Sequence, residues 1–184
     1  VLNYELGHTT EALQTVDAFI DQGNKDKLAE AYMTRSALHL KVQSLDKAEE
    51  DINAASKLAK SKDDRDLQQL RLEITAEKKA QLKIKKEAEL NLQANPQDTK
   101  ELEKKANADK KLGNKQEAIS AAKAAFENHS TDPGVYKILL EDAAKTDTNL
   151  FKKVAKKAAQ AGISRKELSK DSPILQEQFK TTKQ

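Results

Sequence analysis

AEAYMTRSALHLKVQSLDKAEEDINAASKL, residues 29–58, is the stretch whose reading decides the fold. It reads as two helices around a short polar turn, with Tyr32 and Ser36 on the first helix, the turn near Ser44, then Ala48, Ile52 and Ala55 on the second. Small residues let antiparallel helices approach closely, so Ser36, Ala48 and Ala55 are the expected contact points. The central octet VQSLDKAE (Val42–Glu49) has cousins on both sides, LGHTTEAL (Leu6–Leu13) and LGNKQEAI (Leu112–Ile119). The marker alanines Ala12, Ala48 and Ala118 lie one and then two multiples of roughly 35 residues apart, the interval of a helical solenoid. In the outer copies Gly7 and Gly113 are expected to end the first helix in the left-handed conformation. In the middle copy Ser44 sits one place later and is read as a cap of the second helix.

The copy beginning at Thr99 places Leu102, Lys105, Ala106, Asp109, Gly113, Ala118, Ala122 and Ala125 at the same positions, keeping the small residues and losing the aromatics. A further unit starts at Pro133: Tyr136, Leu139 and Ala143 mark its first helix, Phe151, Val154, Ala155, Ala158 and Ala159 its second, and Gly162 its end. Between the clear copies, residues 64–94 carry Leu67, Leu70 and Ile74, then Ile84, Ala88 and Leu92, without glycine or proline. Either a degenerate helix pair or one long rod fits. The pair is preferred, because the interval has room for it and the apolar stripe changes phase near Glu77 to Ala80. The tail, with Leu168, Ile174, Leu175 and Phe179, is expected to cap the apolar end of the stack.

These features resemble the tetratricopeptide repeat, with Tyr32, Ser36, Ala48, Ile52 and Ala55 at its packing positions. Arg35 and His39 depart from it, standing where that family places leucine and tyrosine. The resemblance implies an all-α protein: a right-handed α-solenoid of antiparallel helix pairs with short C-terminal capping helices, forming one domain over 1–184. Its parts would be a partial unit at 1–24, units at about 27–62, 63–97, 98–131 and 132–162, and a cap at 163–184. LGHTTEAL lies so near Val1 that the array is expected to start mid-unit, as in a truncated or processed chain.

The resemblance also implies a concave groove lined by first helices. By position this groove comprises Glu30, Met33 and Ala37, then Arg65, Gln68 and Leu72, then Lys100, Glu103 and Asn107, and finally Lys137 and Glu141. Mixed charge with a few apolar spots suits a peptide or protein partner. A clamp for a chaperone's C-terminal carboxylate is disfavoured, because Glu30, Met33, Thr34 and Ala37 stand where its cations and amides would be needed.

Composition bounds the alternatives. The net charge is +3, charged residues make up 34% and aromatics 4%, and Pro96, Pro133 and Pro173 all fall where helical patterning breaks. No apolar run approaches the roughly 20 residues of a membrane-spanning helix, so a soluble chain is expected, cytoplasmic or exported. The absence of cysteine excludes disulfides and thiol catalysis.

Two basic stretches, Glu77–Glu89 and Phe151–Ala159, raise nucleic-acid binding. Interleaved glutamate in the first, scarce arginine and missing aromatics favour a solvated face instead. His8, His39 and His129 lie in different units, and His39 is expected to be a partly buried structural imidazole. Asp63, Asp64 and Asp66 match a helix start better than a calcium loop, since the loop's glycine and terminal glutamate are missing. Gly23 and Gly113 lack the rest of a phosphate loop, and Asn128 to Ser130 forms a glycosylation sequon too common to carry weight. No enzyme signature, cofactor site or metal site is read. The expected role is a non-catalytic interaction scaffold, with a self-assembling structural module as the alternative and nucleic-acid binding as a weaker one.

Overall fold

The computed structural model describes residues 8–23, 27–58 and 64–181, so the expectations for Gly7 and Asp63 lie outside the described residues. The described residues form helices and no strand: α1 (Thr9–Asp21), α2 (Leu28–Lys41), α3 (Leu45–Leu58), α4 (Arg65–Ala94) and α5 (Thr99–Lys111) come first. They are followed by α6 (Lys115–Glu127), α7 (Pro133–Thr146), α8 (Thr148–Gln160), α9 (Arg165–Ser169) and α10 (Pro173–Thr181). The chain divides into two compact units. One takes the chain to Gln81 with Lys111–Gly113, and the other takes Leu82–Lys110 with Asn114 onward.

In the first unit α2 packs on α3 and α1 packs on α2. The close approach falls where the small residues stand: Ser36, Ala48 and Ala55 are completely buried. Ser36 Oγ donates a 2.6 Å hydrogen bond to the Ala48 carbonyl, so the serine fits the narrow space and satisfies its own hydroxyl there. The turn is built by backbone bonds. Ser44 N–H donates to the His39 carbonyl at 2.9 Å, and Asn114 N–H donates to the Asp109 carbonyl at the same distance and the same sequence offset. Both are the closing bond of a helix C-terminus ending in a left-handed residue. That residue is Gly113 in the later copy, at φ 82°, and Gln43 in the earlier, at φ 59°. The turn geometry therefore persists where the glycine does not.

Residues 65–94 are one continuous helix of 30 residues, which corrects the preference for an antiparallel pair. The sequence is rich in Leu, Gln, Lys, Glu and Ala and holds no glycine or proline, so nothing opposes propagation until Asn95 and Pro96. The apparent phase change came from counting Ile84, which is exposed, as core. The buried row is Leu67, Ile74, Gln81 and Ala88, one residue at every seventh position, and it keeps a single helical face throughout. Asp64 starts this helix, its carboxylate accepting from the N–H groups of Asp66 and Leu67.

The second unit holds the larger apolar core, drawn from α5 to α10 around Ala106, Ala122, Ala125, Val135, Leu140, Phe151 and Val154. Here α7 packs on both α6 and α8, and α9 and α10 cover α7 as the expected short C-terminal helices. Phe179 of α10 reaches Phe151 with ring centroids 5.5 Å apart, and Leu168 and Leu175 are buried beside them. Fully burying side chains of this size stabilises by about 1.5–3 kcal/mol each.

Candidate interaction surfaces

The two positions that depart from the repeat pattern form a polar seam in the first unit. Arg35, on α2, reaches Asp51 of α3 through two hydrogen bonds, Nε to Oδ2 at 2.8 Å and Nη2 to Oδ1 at 2.6 Å. Its remaining arm, Nη1, meets Asp17 of α1 at 2.6 Å. The fork geometry of guanidinium suits this double grip, and one cation thereby joins three helices. The bond to Asp51 holds the Arg35 guanidinium charged, more than offsetting its partial burial. His39 lies one helical turn on. Its Nε2 is 3.7 Å from Asp51 Oδ2, and its buried Nδ1 has no hydrogen-bond partner. Burial lowers the imidazole's pKa against the opposing pull of Asp51, so the ring is held neutral.

The equivalent positions of the later copy, Lys105 and Asp109, also carry charges. Asp109 is fully buried and accepts from Lys85 of α4 at 2.6 Å, Asn114 at 2.8 Å and Lys105 at 3.1 Å. Burial alone would raise this carboxyl's pKa, but the three donors outweigh it and hold the pKa below the ordinary value. Lys105 also bonds Glu89 at 2.7 Å. Burial would lower its pKa, yet Glu89 and Asp109 together keep it raised. These charges are spent on structure. They join α4 to α5 and the turn before α6.

The residues inferred for a groove divide in the same way. In the first unit Glu30 and Ala37 are exposed on α2, and Arg65, Gln68 and Leu72 are exposed on α4. Met33 is half-buried and packs against the cluster of Ala48, Ile52, Ala55, Leu67 and Ile74. In the second unit Lys100 is exposed, while four others are occupied internally. Glu103 accepts from Ser130 Oγ at 2.6 Å, Asn107 donates to Asp132 at 3.0 Å, and Glu141 accepts from Lys110 at 2.9 Å. Lys137 donates to the Lys170 carbonyl, and burial lowers its pKa.

Position along a first helix identified these residues without distinguishing an open side chain from one already bonded. The most exposed large apolar residues all lie on α4: it took in Leu72, at 65% exposure, and passed over Leu90 at 64% and Leu82 at 51%. Their signal was present as leucines off the seven-residue row. Among the described residues no cluster of histidine and carboxylate groups could hold a metal ion, and no helix is long and apolar enough to cross a membrane.

The second basic stretch forms α8, which has no carboxylate of its own. Phe151, Val154 and Ala158 point inward, Lys152, Lys153 and Lys156 point outward, and Lys157 lies 4.7 Å over the Phe126 ring. Comparison with protein-family models, with curated proteins and with solved structures returns no match to this chain.

Proposed function

We propose that this chain is a non-catalytic, protein-binding scaffold built on a tetratricopeptide-like arrangement of helix pairs. The observation that carries this reading is how its side chains are spent. The buried carboxylates Asp51 and Asp109 are consumed in contacts with Arg35 and Lys85 that hold helices together, while leucines remain open on the outside of α4. A scaffold needs rigid helices and an accessible surface, and those are the properties this distribution supplies.

Sedimentation over a concentration series combined with a crosslinking pull-down tests the proposal. A monomer that captures a defined partner supports it. Concentration-dependent self-association would favour the structural module instead. A second reading, polyanion binding, is favoured by Lys152, Lys153 and Lys156 on α8 with no neighbouring carboxylate on that helix. It requires an affinity that collapses with added salt and with loss of those lysines.

A further inference from the structure

From the second half of α4 we infer a docking site for an acidic amphipathic helix of a partner protein, centred on Leu82, Lys83, Lys86 and Leu90. The inference rests on the scaffold reading and names the surface and the chemistry of its partner.

The inward side of this half-helix is fully committed. Ala88 is buried, Leu92 packs on the core of the second unit, Lys85 bonds Asp109, and Glu89 bonds Lys105. The outward side is not. Leu82, Lys86 and Leu90 follow one another at a spacing of four, forming a ridge of the kind that seats in the groove of a second helix. Over that ridge the two leucines are 51% and 64% exposed and stand about 12 Å apart along the axis at 1.5 Å per residue. Lys83 lies beside the ridge with its side chain 78% exposed, and its one ion pair, to Glu87, is a loose 3.8 Å contact at the surface. Two leucines give an incoming helix its apolar contact, and two lysines select its charge.

Charge decides the occupant. A second copy of the same surface would set Lys83 and Lys86 against like charges, which costs rather than stabilises. A lipid surface calls for a broad apolar face, whereas this one offers two leucines with a carboxylate, Glu87, beside them. A helix with leucines on one face and glutamates flanking them satisfies both the ridge and the lysines.

The test uses the whole chain and a synthetic helical peptide, with leucines at three- and four-residue spacing and glutamate elsewhere, followed by fluorescence anisotropy. Saturable binding that weakens with salt, and falls about tenfold or more in Leu82→Ser/Leu90→Ser, is the expected result. Both leucines are exposed, so the variant should keep its helicity by circular dichroism. Lys83→Glu/Lys86→Glu should lose the acidic peptide and gain its lysine counterpart, an exchange that general loss of structure would not produce. No binding, binding indifferent to these substitutions, preference for phosphatidylserine vesicles, or self-association through these residues would each overturn the inference. If the peptide fails while crosslinked partner capture remains sensitive to Glu30 and Ala37 substitutions, the scaffold survives and this site does not.

Discussion

The α2–α3 pair and the α7–α8 pair solve the same packing problem with opposite chemistry. At the two positions where the first carries Arg35 and His39, the second carries Leu139 and Ala143, one turn apart on α7 as their counterparts are on α2. The first pair is joined through a guanidinium gripping Asp51 and Asp17, and its apolar clusters are small. The second is joined through Leu139, Leu140, Phe151 and Val154 within the large core. Lys105 and Asp109 also form a charged seam, but theirs joins α5 to α4 through Glu89 and Lys85. Small residues set the distance between helices, and the neighbouring positions then choose between a directional polar seam and a non-directional apolar one.

The largest expected effect lies in the apolar pair. Phe151→Ala removes a ring that is 2% exposed and contacts Phe179, and should cost about 3–5 kcal/mol in urea unfolding. A cost below about 1 kcal/mol would mean the core collapses readily into the space and that the contrast is overdrawn. Asp109→Ala comes next. It leaves Lys85 and Lys105 without their shared carboxylate and should cost about 3 kcal/mol. Lys85→Met with Asp109→Leu should recover much of that loss if the seam acts only in packing.

Asp51→Ala should cost less, about 2 kcal/mol, because Arg35 is partly exposed and keeps Asp17. In a chain also lacking Asp17 the two losses should not add, since both carboxylates hold the same guanidinium. An additive result would remove the claim that Arg35 acts as one junction.

His39 sharpens the contrast through pH. Its imidazole is held neutral by burial, so the unfolded chain binds the proton first. Stability from this group is full above the ordinary imidazole value of about 6.5 and falls as pH descends from there toward the lower folded value. The groups around the ring are Asp51, Lys47, Arg35 and Asp17. Unfolding followed between neutral and mildly acid pH should show this slope, and His39→Leu should flatten it. An unchanged slope in that variant would assign the effect elsewhere.

The smallest expected effect is a gain. Gln43 occupies the left-handed conformation that Gly113 occupies in the later copy, so Gln43→Gly should stabilise by about 1 kcal/mol. A loss would show that the glutamine side chain contributes more at the turn than its backbone costs.

Much of the helix-pair plan was legible because it depends on residue size and on turn chemistry, both local properties. Ser36, Ala48, Ala55, Ala106, Ala118, Ala122 and Ala125 are buried as read, and Gly113 and Gly162 adopt positive φ. The length of α4 was misread because Ile84, an exposed residue, mimics core when only periodicity is counted. Four of the groove positions were legible as first-helix residues, but their occupation by Ser130, Asp132, Lys110 and the Lys170 carbonyl was not. Those partners are distant in sequence, and no local spacing encodes them.

By itself, then, the sequence determined that this chain is helical, where the turns outside α4 fall, and which small residues let paired helices meet. Propensity, chain reversal and side-chain volume act within a few residues of their cause. The tertiary structure decided which charges are buried and matched, which leucines remain outside, and that residues 65–94 make one helix. Burial and pairing are properties of what a side chain meets, and that is set only when distant segments come together.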